Sequence, residues 1–480
     1  MSDIRSLVAR VESGPQGPDV GAFFDFDGTL IAGYSALAFL KYRLRKREIP
    51  IDELVKTIGE SIDYERHSHD VGVLMHMGVE AQAGRSVDEF EAWSRKVFAR
   101  EIAKMLYPDV RELIQAHSDA GHTLAIASSA TRYQVEPTAA DLGIDNLICT
   151  EMGVDSEGKI TGKLAGPIRW GYEKAAGVEA FARDREISLA SSYAYSNGFE
   201  DLPLLESVGH PTALNPDDEL EKTAVKRHWP VARLTQPAKP NAINAIRTVA
   251  GLGAFGLGIA TGSLFGILGH NRRFGANVAS AIAPDLALSI AGVRLNIVGR
   301  ENLWKARPAV FLFNHQSQLE VLVLGALLRR NFTGVAKKQL AHDPFFAPIG
   351  YMADVAYIDR ANNAAARVEL EPVVKALKHG RSLVIAPEGT RSPTAKLLPF
   401  KKGPFHIAIQ ANVPIVPIVL RNAGELMPPH SYVITPGTLD VAVLPPVHPD
   451  GWNHDNLDQH IAEVRQMYVD TLSHWPTSED

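Results

Sequence analysis

Residues 20–30 read VGAFFDFDGTL. The apolar run 20–24 is short and unbroken, and it ends in Asp25 and Asp27, followed by Gly28 and Thr29. An apolar run of this length with a turn signal at its end predicts a strand buried on both faces. Similar runs recur at 124–127, 147–150 and 192–195, with helix-patterned stretches between them. Strands alternating with helices predict a doubly wound parallel α/β sheet, in which ligands bind outside the carboxyl ends of the strands. Residues 33–107 are helical in pattern, rich in charge and poor in turn signals.

The whole chain has 480 residues, which at roughly 150 per domain predicts about three folded units. With 45% apolar and 22% charged residues it is neither disordered, collagenous nor coiled-coil. A mean hydropathy of −0.06 excludes a many-span transporter. A net charge of −6 gives no pointer to nucleic acid. One cysteine, Cys149, excludes a disulfide framework and a cysteine-based zinc site, and fits a reducing compartment. The first twenty residues lack a basic segment followed by an apolar core, so they read as a short leader rather than a signal peptide. The stretch 234–244, LTQPAKPNAIN, carries two prolines and reads as a linker.

The average hides one segment. Residues 249–269, VAGLGAFGLGIATGSLFGILG, hold no charge over 21 positions, enough to cross a hydrocarbon core. Arg272 and Arg273 follow at once, and a second apolar stretch, 278–291, is interrupted by Pro284 and Asp285. Between Lys239 and Arg307 eight basic residues face two acidic ones, a local net of +6 that suits an anionic membrane surface. Gly258, Gly262 and Gly266 lie four apart, the spacing that lets helices approach closely. Their partner is either a second chain, giving a homodimer through 249–269, or the stretch 278–291.

Asp25 and Asp27 end their strand two residues apart. One such carboxylate can attack phosphorus, and the other can protonate the leaving oxygen and then activate water. Their combined charge calls for a hard cation such as Mg²⁺. Ser128 follows the run LAIA, where its hydroxyl can meet a phosphate oxygen, with Ser129 as the adjacent competitor. Lys174 can neutralise a phosphoryl group, and Asp201 follows another short strand. In order and spacing, these four motifs resemble the haloacid dehalogenase-like phosphatases, notably their phosphoserine-phosphatase-like branch, over about residues 18–225. The resemblance implies Asp25 as nucleophile, Asp27 as acid and base, a metal site drawn from Asp25, Asp27, Asn197 and Asp201, and a helical cap over 33–107. Asn197 departs from the family, which usually has an acidic residue there. An amide can still ligate Mg²⁺, but a full charge is lost, which Asp201 or Glu200 can offset. The alternative is a non-catalytic, regulatory domain.

In the second half, FLFNHQSQLEVLVLGALL places Asn314 and His315 at a strand end. His315 and Glu320 are five apart, so on one straight helix they would face apart, and a bend is needed to join them. With that bend, Glu320 can hold one ring nitrogen while the other takes a proton from a substrate hydroxyl, which then attacks a thioester. Pro387-Glu388-Gly389-Thr390-Arg391 follows the strand run LVIA, and Ile358-Asp359-Arg360 and Val413-Pro414-Ile415-Val416-Pro417 complete the set. Gly389 permits close backbone approach, and Thr390 and Arg391 offer phosphate donors. Together these resemble the glycerolipid acyltransferases, specifically the 1-acylglycerol-3-phosphate acyltransferases, over about residues 290–445. The resemblance implies His315 as general base, with Glu388, Gly389, Thr390 and Arg391, joined by Arg360, around the glycerophosphate. Glu320 stands where the family normally has Asp. Lys337, Lys338, Lys401 and Lys402 are either contacts for an anionic substrate or ordinary solvated lysines.

The expected organisation is a haloacid dehalogenase-like domain over 1–233, a linker over 234–244, a membrane-associated helical segment over 245–292 and an acyltransferase α/β domain over 293–480. The expected reaction moves an acyl group from acyl-CoA or acyl carrier protein to the sn-2 hydroxyl of lysophosphatidic acid. Another lysophospholipid or glycerol 3-phosphate is the alternative acceptor. Both halves call for cytosolic substrates. A re-entrant hairpin or interfacial pair, with the catalytic domains facing the cytoplasm, is therefore expected over a single span.

Overall fold

A computed structural model describes residues 4–46, 71–342, 350–351, 354–358 and 371–476. It divides into two compact units, Met1–Pro237 and Ala238–Asp480.

In the first unit the strands are β1 (Gly21–Phe24), β2 (Thr123–Thr131), β3 (Asn146–Thr150), β4 (Met152–Val154), β5 (Ile160–Leu164), β6 (Tyr193–Ser196), β7 (His210–Leu214) and β8 (Val231–Ala232). Six of them form one sheet in the order β3-β2-β1-β6-β7-β8, while β4 and β5 make a separate hairpin. Every pairing in the six-stranded sheet is parallel. All four residues of β1 are buried, as its unbroken apolar run requires. Chain order reverses on either side of β1, so Asp25 leaves the sheet at its switch point, where a crevice opens.

Helices Ser35–Lys46, Val71–Glu80 and Val87–Val97 occupy the expected cap region, and residues 47–70 of that region lie outside the described residues. The supposed leader is a helix, Ile4–Glu12, that buries Leu7 and Val11 in the core. Its apolar spacing of four, hidden by a polar flank, is what ties it down.

The second unit begins with a helical hairpin. Ala242–Leu268 starts inside the expected linker, because Asn241 caps it by accepting from Asn244 N. Arg272–Ala291 runs unbroken through Pro284, contrary to the interruption that a proline predicts. The proline ring instead fills the space beside Gly325, where a Cβ would come within 2.7 Å of Pro284 Cγ. Both helices are long and apolar enough to cross a membrane by length and composition.

Then come β9 (Val293–Val298), β10 (Val310–Phe313), β11 (Phe332–Lys337), β12 (Ala356–Ile358), β13 (Ser382–Ile385), β14 (Ile415–Leu420) and β15 (Gly437–Val443), in the order β12-β11-β13-β10-β14-β15-β9. Strands β13, β10 and β14 are adjacent and parallel, so the loops after them emerge side by side. The helix Glu320–Leu328 buries every residue except Val321 and covers one sheet face. The helix Leu457–Ser473 covers the other through Leu457, Ile461, Val464 and Tyr468.

Gly258, Gly262 and Gly266 face the second helix of the hairpin. A Cβ on Gly258 would lie 2.5 Å from that of Ala283, and one on Gly262 would lie 2.5 Å from Gly275 O. The close approach is therefore used within the chain, and this face is not open to a second copy. The outer face is apolar: Ile243, Ile246, Val249, Leu257, Leu264, Ile267 and Leu268 are all exposed.

Candidate functional site

In the first unit, Asp25 N donates to Tyr195 O at 2.9 Å, which pins the carboxylate at the end of β1. Lys174, only 2% exposed, donates from Nζ to Asp25 Oδ1 at 2.8 Å and to Asp201 Oδ2 at 2.6 Å. Burial pushes the Asp25 pKa up, and the Lys174 charge partly opposes it. Two carboxylates hold the lysine charged and raise its pKa despite burial. Thr29 Oγ1 donates to Asp25 Oδ2 at 3.0 Å, a partner visible in the DFDGT run but not singled out from it. Ser196 Oγ, also missed, donates to Asp201 Oδ2 at 2.6 Å. Asp201 Oδ1 is buried without a hydrogen-bond partner among the described residues.

Asp27 has a different partner. Its carboxylate accepts Ser35 N at 2.6 Å and Ser35 Oγ at 3.0 Å, at the start of the helix Ser35–Lys46. Burial pushes its pKa up to about 7, the state of an acid that can still give a proton near neutrality. Ser128 is buried, with its Oγ accepting Ala130 N at 3.1 Å, while neighbouring Ser129 accepts Thr150 Oγ1 at its carbonyl.

The expected metal ligands converge only in part. The end of the Asn197 amide lies 2.9 Å from the Asp27 carbonyl and 3.3 Å from Asp25 Oδ2. Asp27 therefore offers its main-chain oxygen, since Ser35 takes its carboxylate. With the amide oxygen inward, three oxygens face one another, a set that a hard cation joins. With the nitrogen inward, the amide donates to Asp27 O and Asp25 Oδ2 and needs no ion. Among the described residues no three His, Cys, Asp or Glu side chains gather as a metal cluster. The donor set is a carboxylate, a carbonyl and an amide, which fits Mg²⁺ at reduced charge.

In the second unit, His315 follows β10. Its Nδ1 donates to Glu320 Oε2 at 2.5 Å. Glu320 is 1% exposed, and its Oε1 accepts the N–H groups of Gln316 and Ser317, each at 2.7 Å. These two bonds make the bend that the five-residue spacing demands. A carboxylate only accepts, so the ring proton sits on Nδ1 and Nε2 is left as an acceptor. Phe313 meets the imidazole edge to face at 5.6 Å. Asn314 pairs with both main-chain groups of Leu420, donating to its carbonyl at 2.8 Å and accepting its N–H at 2.7 Å.

Glu388 does not line the substrate space as expected. It is 3% exposed, with Oε1 accepting His315 N at 2.7 Å and Oε2 accepting Leu398 N at 2.8 Å. A glutamate after a strand reads alike whether it faces ligand or backbone, and here the backbone donors take both oxygens. Ser392 N donates to His315 O at 2.7 Å, so the 387–392 loop is bonded to the histidine twice. Gly389 takes a left-handed φ of 71°, and a Cβ there would come within 2.9–3.0 Å of the Lys401 side chain. Thr390 is exposed and Arg391 half-buried. Arg360 lies outside the described residues.

Residues 22–206 match the family described as haloacid dehalogenase-like hydrolase, and residues 294–421 match the family described as acyltransferase. A 1-acyl-sn-glycerol-3-phosphate acyltransferase of Saccharomyces cerevisiae is 36% identical over 184 residues, 38% of this chain and 60% of the relative. This chain thus spans less than two thirds of that relative's length. One from Limnanthes douglasii is 32% identical over 197 residues, 41% of this chain and 69% of the relative. A histidinol-phosphatase of Neisseria meningitidis is 32% identical over 215 residues, 44% of this chain and 96% of the relative. The chain therefore belongs to two families at once, haloacid dehalogenase-like hydrolases through its first half and 1-acyl-sn-glycerol-3-phosphate acyltransferases through its second.

Proposed function

We propose that the second unit moves an acyl group from acyl-CoA or acyl carrier protein to the sn-2 hydroxyl of lysophosphatidic acid, giving phosphatidic acid. The observation that carries this reading is the His315–Glu320 pair with Nε2 left free. Nε2 takes the hydroxyl proton as the oxygen forms a bond to the thioester carbon. The carbon–sulfur bond then breaks, and the thiolate leaves with the proton from His315. Glu320 stabilises the imidazolium between these events. Thr390 and Arg391, on the loop bonded to His315 through Glu388 and Ser392, would supply donors for the glycerophosphate, and Arg360 joins them by resemblance. The purified chain should release thiol from acyl-CoA when lysophosphatidate is added. Unchanged turnover in His315→Ala sinks the assignment, and a panel with glycerol 3-phosphate and other lysophospholipids identifies the acceptor.

The first unit is read as a phosphomonoesterase, on the observation that Lys174 joins Asp25 to Asp201. Asp25 attacks phosphorus as the ester P–O bond breaks and the leaving oxygen takes a proton from Asp27. Asp27 then takes a proton from water, which attacks the phosphoaspartate, releases phosphate and restores Asp25, while Lys174 balances the phosphoryl charge. Asp25, the Asp27 carbonyl and Asn197 would hold Mg²⁺, which supplies charge stabilisation to the phosphoryl oxygens when bound. The rival is a regulatory domain in which the Asn197 nitrogen closes the same gap. Magnesium-dependent phosphate release that is lost in Asp25→Asn supports the first. No release in the wild type, with release restored in Asn197→Asp, supports the second.

The hairpin is read as an interfacial anchor. Its second helix is tied to the α/β domain along its length, through Arg272 to Asp354, Asn277 to Asn331, Asp285 to Arg329 and, just past its end, Gly292 O to Gly437 N. A hairpin fixed sideways in this way lies along the bilayer surface, with the exposed face of the first helix inserted and the α/β domain on the cytoplasmic side. Leu264→Asp should release the chain from phosphatidylcholine vesicles, and full retention counts against the reading.

A further inference from the structure

A cavity of about 430 Å³ opens beside the second hairpin helix, and His315 is not among the residues that line it. Asn277, Val278 and Ala281 of that helix form one wall, and Trp304, Arg329 and Arg330 form the other. Val278 belongs to the same stripe, at spacing four, as Phe274 and Ile282, which are 49% and 41% exposed. One edge of the cavity is therefore continuous with the apolar face of the helix.

The opposite edge is cationic. The helix Glu320–Leu328 ends at Arg329, whose φ of 57° turns the chain sharply. Arg329 then pairs with Asp285, the acid on the neighbouring helix, at 2.8 Å. Arg330 lies over the Trp304 ring at 5.4 Å and has no carboxylate partner among the described residues. Arg307 lies over the same indole at 4.1 Å, with its N–H groups donated to the carbonyls of Leu303, Leu328 and Arg330. Asn277 and Asn331 bond each other. Lys305 pairs with Glu301 at 3.7 Å. Once these pairs are counted, Arg330 and Arg307 remain as uncompensated charge around an indole that is 41% exposed.

An aromatic ring with two guanidinium groups close to it, at the margin of an apolar helix face, is the chemistry of a headgroup seat. We propose that this cavity binds the phosphate of an anionic phospholipid, with Trp304 at the headgroup level and Arg330 as the principal contact. The proposal rests on the reading of the hairpin as interfacial. It adds a defined headgroup seat to the diffuse attraction of the basic residues that flank the hairpin.

The test is flotation of the full chain with vesicles of phosphatidylcholine alone, and with the same lipid containing a minor fraction of phosphatidylglycerol. The wild type should prefer the anionic vesicles. Arg330→Gln should lower that preference about fivefold, as expected for one cation near a charged surface. Trp304→Ala, which changes no charge, should lower it as well. Arg273→Gln, on the same helix but outside the cavity, should lower it less than Arg330→Gln. Equal losses in Arg273→Gln and Arg330→Gln, or an unaltered preference in Trp304→Ala, overturn the site in favour of diffuse attraction. Retention of Leu264→Asp on phosphatidylcholine overturns the interfacial reading instead, so the two failures are distinct.

Discussion

His315 donates its backbone N–H to Glu388 Oε1 at 2.7 Å, so the carboxylate holds the main chain of the histidine rather than its ring. The second oxygen holds Leu398, and together the two bonds lock the histidine to the loop that carries Arg391. Replacing Glu388 by Ala should free both segments. A loss of roughly a hundredfold in kcat, with KM changed far less, is expected from a misplaced base. Steady-state thiol release measures both constants.

The same residue gives stability a pH dependence. Burial pushes the Glu388 pKa up from 4.5 to about 7. A raised carboxyl favours the folded state fully below its unfolded value of 4.5 and loses that contribution as pH rises through about 7. Melting temperatures of the wild type, taken relative to Glu388→Gln, should therefore fall between mildly acidic and mildly alkaline buffer. A parallel pair of curves refutes this.

Glu320 uses its full length, reaching His315 with one oxygen and two N–H groups with the other. Shortening it in Glu320→Asp should weaken one set or the other and cost about tenfold in kcat, within the range for a general-base partner. Glu320→Ala should cost more. Equal rates for Asp and Glu would mean that the loop adjusts freely.

Lys174 is the only cation bonded to the buried carboxylates of Asp25 and Asp201 among the described residues. Lys174→Met leaves both unpaired and should destabilise the first unit by about 3–5 kcal/mol. Asp201→Asn in the same chain should recover part of that loss, because one uncompensated charge is removed. Denaturant titration of both variants provides the comparison.

Asn197 sets the charge of the proposed metal site. Asn197→Asp should bind Mg²⁺ more tightly, by about tenfold if the added carboxylate is worth on the order of one pKa-unit equivalent of interaction. Isothermal titration of the full chain reads this without any turnover. Equal affinity in both proteins would argue that the amide nitrogen, not the oxygen, faces Asp25.

Much of the architecture was legible because β1 and β10 are buried apolar runs that end in chemistry-bearing residues. The bend at Glu320 was legible too, since a spacing of five admits contact in no other way. The role of Glu388 was not, because a loop carboxylate carries no mark of whether backbone or ligand meets it. Asp27 followed the same rule: two aspartates two apart look equivalent until Ser35 takes one of them. The glycine stripe was ambiguous for a physical reason, as small residues allow close approach to whichever helix arrives. Pro284 misled because its cost depends on what lies beside the ring, and Gly325 is 41 residues further along.

The pairing of Asn314 with Leu420 extends the sheet by one rung made from a side chain. The amide imitates a strand residue, offering one donor and one acceptor in register with β14. The main chain can thus leave the sheet at His315 without the frayed edge that a strand end normally has. The loop after β10 inherits the stiffness of a ladder that has formally ended, and the Leu420 amide should exchange with deuterium as slowly as those in the middle of β14.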